Sequence, residues 1–290
     1  MKNILLTFTG ILIILSCLTG CFKQDKMENI NIATTIYPIE YVTNRLYGEN
    51  NTIESIYPRS SNPTEYNITE KQLKDYSKYD LFIYNGESEE REYATFMLNN
   101  NKNLKIIDAA YGIDITYSSS DIWLNPSNIL MLGQNIKNEL QEYISSKYLV
   151  EEIESKYEIL KVDITELEAE LKKAADNSNN NQIVVADESL NFLEKYGFEV
   201  INLTEKQEVK EDNVEKAKSL FDDKKIDYIF VMSNSQEYEI TKTLVDTYED
   251  IETITFNTLD TITEKDEENN DDYLSLMHNN IDLLKQETYK

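Results

Sequence analysis

Short apolar runs, separated by helix-like or turn-rich stretches, set the pattern of this chain. In the first half they fall at Ile30 to Tyr37, Ile53 to Tyr57, Leu81 to Tyr84 and Leu104 to Ile107. The second half repeats the style at Ile183 to Ala186, Val200 to Leu203, Tyr228 to Met232 and Ile251 to Phe256. Runs of this length, rich in Ile, Val, Tyr and Phe and alternating with helical segments, argue for parallel sheets covered by helices. The expected fold is therefore α/β, with an N-terminal lobe over 30–145 and a C-terminal lobe over 178–290.

Between the halves lies a different period. Leu149, Ile153, Tyr157, Leu160, Ile164, Leu167, Leu171 and Ala174 recur at steps of three and four, with Glu and Lys filling the other positions. That is one apolar stripe on one face of a helix. No Gly or Pro interrupts Ser146 to Asp176, and the run Asn177 to Asn181 ends it. At about 1.5 Å per residue such a helix spans most of a domain. The spacing predicts a rigid linker over 146–177 on which both lobes pack, in preference to a coiled-coil stalk.

The first twenty residues follow neither pattern. Lys2 supplies a positive start, Ile4 to Leu18 an apolar stretch too short for a comfortable transmembrane span, and Leu18-Thr19-Gly20-Cys21 a small-residue approach to a cysteine. This reads as a bacterial lipoprotein signal over 1–20, with Cys21 lipidated and a polar tether over 21–29. The body is then expected outside the cytoplasmic membrane, held by acyl chains that contribute about 0.8 kcal/mol per buried CH₂. The chain has two cysteines. Cys17 leaves with the signal and Cys21 takes the lipid, so no disulfide is expected.

Charge and residue types exclude several functions. With 28 basic against 54 acidic residues and a formal net charge of −26, the surface repels phosphate backbones, which argues against a nucleic-acid partner. Cations are concentrated near such a surface, although most of these charges are expected simply to be solvated. The single histidine, His278, leaves no room for a Ser-His-acid triad near any particular serine, and no Walker-type loop is present. No catalytic constellation emerges, and an enzyme is not expected.

Five motifs in order give the chain a family likeness. Ile32-Ala33-Thr34-Thr35-Ile36-Tyr37-Pro38, Ser60 to Tyr66, Tyr79-Asp80-Leu81-Phe82-Ile83-Tyr84-Asn85-Gly86, Asp121-Ile122-Trp123-Leu124-Asn125-Pro126 and Asp272 to Met277 follow one another at suitable spacing. Together they resemble the metal-binding solute receptors of ABC transporters, the zinc and manganese lipoproteins often described as adhesins. The resemblance implies two parallel-sheet lobes, one rigid helix and a metal held in the cleft between the lobes. It also implies partnership with an ABC permease and its ATPase, action as a monomer, and a divalent ion as transported ligand, with no catalytic cofactor.

The ligand positions depart from that family's pattern. Carried over motif by motif, its first His falls on Thr64, its second on Asp121, its third on Asp187 or Glu188, and its Asp near the last strand on Asn257. His278, on the C-terminal helix, reads as a surface residue. With imidazoles replaced, Glu65, Asp121, Asp187, Glu188 and Asn257 are left to present oxygen donors. Hard oxygen ligands suit Mn²⁺, Mg²⁺ or Ca²⁺ better than Zn²⁺. Asp121, Asp187 and Glu188 could equally cap helices. Tyr37 and Tyr66, with Thr64, are expected at the cleft, where aromatic walls could hold an organic solute or a metal chelate. The sequence thus supports an extracytoplasmic receptor for a divalent ion, Mn-like more than Zn, with Fe also open. The alternative is a surface lipoprotein of the same fold whose metal site has decayed and which binds a chelate, an organic solute or a protein.

Overall fold

The computed structural model describes residues 25–49, 51–113, 121–205, 208–234 and 238–290. The expected signal over 1–20 and its lipidation site Cys21 lie outside the described residues. Among those described, no helix is long and apolar enough to cross a membrane.

Two four-stranded sheets form, one in each half. In the N-terminal lobe β1 (Asn31–Thr34), β2 (Thr52–Ser55), β3 (Leu81–Tyr84) and β4 (Lys105–Asp108) take the order β2-β1-β3-β4. The C-terminal lobe contains β5 (Gln182–Val185), β6 (Glu199–Asn202), the short antiparallel pair β7 (Thr204–Glu205) and β8 (Glu208–Val209), then β9 (Tyr228–Met232) and β10 (Glu252–Phe256). Its main sheet runs β10-β9-β5-β6. Every pairing in both main sheets is parallel, for example Ile32 with Ile53 and with Leu81. Leu81, Phe82 and Ile83 on β3 are fully buried, which is why these strands read as unbroken apolar runs and not as alternating ones.

A 30-residue helix, Lys147–Asp176, joins the lobes. Ser146 starts it by accepting the Leu149 N–H, and Asn177 follows its last turn. The residues it buries include the eight positions of the three-and-four stripe. Helix Pro126–Tyr143 packs on it closely: a Cβ at Gly133 would stand 3.2 Å from Leu160 and 3.3 Å from Tyr157. Arg45 of helix Tyr37–Tyr47 reaches Asp163, while Lys285 of helix Tyr273–Thr288 reaches Glu170. One hydrophobic core therefore runs from the first lobe through the helix into the second, and a smaller cluster under helix Glu211–Asp222 completes the C-terminal lobe.

The stretch anticipated as tether over 21–29 is packed from Asp25 onward. Met27 is fully buried. The Asp25 carboxylate accepts the backbone N–H groups of Met27, Ser145 and Ser146 at 2.9, 2.7 and 2.6 Å. Burial pushes this carboxyl up, and the three donors outweigh it and hold it below the usual carboxylate range. A polar residue near a terminus here closes the end of the long helix.

Candidate functional site

In both sheets the chain leaves a central strand in opposite directions, between β1 and β3 and between β5 and β9. Crevices at the carboxyl ends of strands open at such reversals. A cavity of about 350 Å³ lies beyond the carboxyl ends of the first sheet's strands, lined chiefly by the N-terminal lobe and by Asp260 of the second. Loops after β1, β2 and β3 bring Ile36, Tyr57 and Asn85. The turn at Pro63 to Asn67 brings Thr64 and Tyr66, and helix Glu90–Asn100 brings Glu90 and Tyr93. Asp121 and Trp123 come from the short 3-10 turn Ile122–Leu124 and its cap, and Asp260 from the loop after β10.

Protein contacts fix these walls. Trp123 Nε1 donates to the Thr258 carbonyl at 2.6 Å, and the Tyr273 hydroxyl donates to the Trp123 carbonyl at 2.7 Å. Ser189 of the second lobe donates to Asp121 Oδ2 at 2.9 Å. Asp260 accepts from Asn234 Nδ2 at 2.7 Å and from the Thr258 hydroxyl at 2.8 Å. Its carbonyl also takes the Tyr37 N–H at 3.0 Å. Asn62 Nδ2 donates to the Asn234 carbonyl at 3.3 Å, and the Ser60 N–H to the Ile262 carbonyl at 3.1 Å. Arg59 grips Glu40 with two nitrogens at 2.5 and 2.7 Å and reaches Glu267 of the other lobe at 2.9 Å.

The electrostatics are one-sided. No Lys, Arg or His lines the cavity among the described residues. Burial pushes the Asp121 carboxyl up to about 7; the Ser189 hydrogen bond opposes this, and the charges of Asp260 and Asp187 add to it. Glu90, which also lines the cavity, is likewise pushed up to about 7 by burial, against the pull of the Asn85 N–H at 2.7 Å. Such carboxyls favour protons or cations over an empty negative charge.

Of the residues singled out in the sequence, Thr64, Tyr66 and Asp121 line the cavity; Glu65, Asp187, Glu188 and Asn257 are not on its wall, although the charge of Asp187 reaches Asp121. Glu65 is exposed, and its backbone N–H closes a turn on the Asn62 carbonyl. Asp187 caps the 3-10 helix Glu188–Tyr196 by accepting the Ser189 N–H at 2.9 Å. Glu188 opens that helix and is half-buried, off the cavity wall. Asn257 Oδ1 accepts the Leu259 N–H at 2.8 Å and its carbonyl takes the Asn280 amide, so it shapes the loop. Tyr37 is buried, with its ring against Tyr41 at 6.3 Å. His278 pairs with Glu170 at 2.6 Å on the helix surface. Among the described residues no three His, Cys, Asp or Glu side chains group to hold a metal ion. The acid that the second lobe places on the cavity wall is Asp260, three residues beyond Asn257, while Asp187 acts on Asp121 from off the wall. The resemblance called for an Asp near the last strand, and Asp260 is the aspartate that follows β10. Glu90 was hidden among Glu87, Glu89 and Glu92.

Residues 32–287 match the family described as zinc-uptake complex component A, periplasmic. The chain belongs to that family. It is 24% identical to the manganese ABC transporter substrate-binding lipoprotein PsaA of Streptococcus anginosus, over 98% of this chain and 97% of that one. It is 23% identical to the zinc-binding lipoprotein AdcA of Streptococcus pneumoniae over 93% of its own length, and spans 58% of that longer protein. The solved structure of the Zn(II)-bound ZnuA-like domain of AdcA superposes with a TM-score of 0.72 at 21% identity, over 90% of this chain and all of that domain. The two-lobe α/β architecture is therefore the family's own. PsaA is named as the substrate-binding lipoprotein of a manganese ABC transporter and AdcA as a zinc-binding lipoprotein, and neither is named as an enzyme.

Proposed function

We propose that this protein is the extracytoplasmic receptor of an ABC importer for a divalent cation, tethered through a lipid on Cys21, and that Asp121 and Asp260 bind the cargo. The observation that carries this reading is the placement of one buried carboxylate from each lobe on the wall of a single cavity that no basic side chain lines. An ion bound there would tie the lobes together. Oxygen donors favour Mn²⁺ over Zn²⁺, and relatives named for either metal support the cation class without deciding the ion. The permease and its ATPase are the partners, with the receptor acting as a monomer. Because the lobes share one core with a stiff helix, motion on binding and release is small, and the permease must bias the receptor toward release.

Calorimetry on the full chain in detergent, stripped of metals, tests this. Mn²⁺ should bind, and Asp121→Asn or Asp260→Asn should each weaken it by about tenfold or more, tenfold corresponding to about 1.4 kcal/mol. Asn257→Ala should lower stability while leaving the ion's affinity close to wild type. If Mn²⁺, Zn²⁺ and Fe²⁺ all fail to bind or to raise the melting temperature, the receptor reading is wrong.

A further inference from the structure

The cavity is larger than a bare ion requires. A water molecule's share of liquid is about 30 Å³, so the space of about 350 Å³ falls in the size class of small-molecule sites. Divalent ions bound through oxygen take about six ligands, water among them; Asp121 and Asp260 offer one carboxylate from each lobe, and Glu89 and Glu90 line the wall as well. Positions left to water can be taken instead by a ligand that enters with the ion.

The other half of the cavity says what that is. Tyr57, Tyr66, Tyr93 and Trp123 all line it. Tyr57 and Tyr66 stand edge to face with centroids 6.2 Å apart. Their hydroxyls are already engaged, Tyr57 donating to Glu90 at 3.3 Å and Tyr66 accepting from Gln72 Nε2 at 3.0 Å. Rings held in this way offer apolar faces, to which a flat aromatic guest adds about 0.5–1.5 kcal/mol per ring contact. Charge narrows the class further. Asp121, Asp260, Glu89 and Glu90 line the wall with no cationic side chain among the described residues, so an anionic chelator would add negative charge to an already acidic chamber. A neutral donor would not. It would also supply the nitrogen ligands that this chain, with its one surface histidine, lacks.

Resting on the reading of the cleft as a divalent-cation site, we propose that the cargo is a cationic complex: a divalent ion carrying a small, planar, neutral nitrogen-donor ligand of the imidazole or pyridine class. The ion sits against Asp121 and Asp260 and the ring sits among Tyr57, Tyr66 and Tyr93. Binding exchanges water on the ion for carboxylate oxygens, and no bond within the organic ligand is made or broken.

The test compares three probes on the full chain in detergent by calorimetry: Mn²⁺ or Zn²⁺ chloride, 2,2′-bipyridine alone, and the preformed one-to-one complex of ion and bipyridine. The complex should bind at least about tenfold more tightly than the bare ion. Tyr66→Leu should collapse that ratio toward one, Tyr66→Phe should keep it, and Tyr93→Leu replaces the first variant if Tyr66→Leu fails to fold by circular dichroism. A bare ion that binds as tightly as its complex, or bipyridine that strips the ion from the protein, overturns the inference and leaves the cation receptor standing. Bipyridine binding alone as tightly as the complex overturns the inference by making the cavity an organic-solute site. Failure of all three probes removes both readings.

Discussion

Glu90 gives the sharpest test of the cavity's electrostatics. Its carboxyl is buried between the Asn85 N–H and the Tyr57 hydroxyl, and burial raises it from an ordinary 4.5 to about 7. The folded protein therefore keeps this proton where the unfolded chain has lost it. Stability from this source is complete below pH 4.5 and is lost as pH rises through about 7. At about 1.4 kcal/mol per pH unit, that interval amounts to on the order of 3 kcal/mol. Glu90→Gln keeps the size and an acceptor for Asn85 while removing the titration. Urea unfolding followed by circular dichroism, on both proteins across this range, isolates the residue by difference, because Asp121 and the other carboxyls titrate alike in both. The variant should match wild type at the acid end and exceed it above neutrality by a few kcal/mol. Parallel pH profiles for the two proteins would show that Glu90 is already ionised in the folded state and that the wall is better solvated than its burial implies.

Two further substitutions probe the frame around the site. Gly86→Ala places a Cβ 1.8 Å from Asp108 Oδ2, displacing a carboxylate that accepts the Gly86 and Ala110 N–H groups, so urea unfolding should show a loss of about 1–3 kcal/mol. Asp25→Ala leaves the Met27, Ser145 and Ser146 N–H groups without their acceptor, and should cost about 1–3 kcal/mol in the same assay and speed hydrogen exchange at Ser145 and Ser146; unchanged exchange there would mean that Asp25 does not close the helix.

The periodic parts of the chain were legible and the site was mostly not, for a physical reason. Apolar spacing reports which face of a regular element is buried. The stripe from Leu149 to Ala174 accordingly matches the buried face of Lys147–Asp176, and the run Tyr228 to Met232 is β9 residue for residue. Loop side chains carry no period, and their direction is set by partners far along the chain. Trp123 is fixed by Thr258 and Asp121 by Ser189, across lobes. Asn257 and Asp260 lie in one loop, yet the first turns its oxygen onto Leu259 while the second takes Thr258 and Asn234 and reaches the cavity wall. Composition misled in the same way at Glu90 and Asp25, acids in polar surroundings that read as solvated and are held instead by backbone N–H groups.

The bridges across the cleft bear on how such a receptor chooses its cargo. Trp123 to Thr258, Ser189 to Asp121, Asn62 to Asn234, Tyr37 to Asp260 and Arg59 to Glu267 already join the lobes through protein groups. Little of an ion's binding free energy is then consumed in drawing the lobes together, and a ligand shifts an equilibrium only by its differential affinity for the two states. Discrimination must come from the donors and from the volume beside them. If Asp121 and Asp260 hold the ion as proposed, replacing imidazole by carboxylate moves the preference toward harder ions, and the acidic, aromatic wall beside them would penalise an anionic escort. On the proposed reading the same scaffold can change its cargo through a handful of loop residues, because Asp121 and Asp260 would meet the ion while Trp123, Tyr273 and the long helix hold the loops in place beside them.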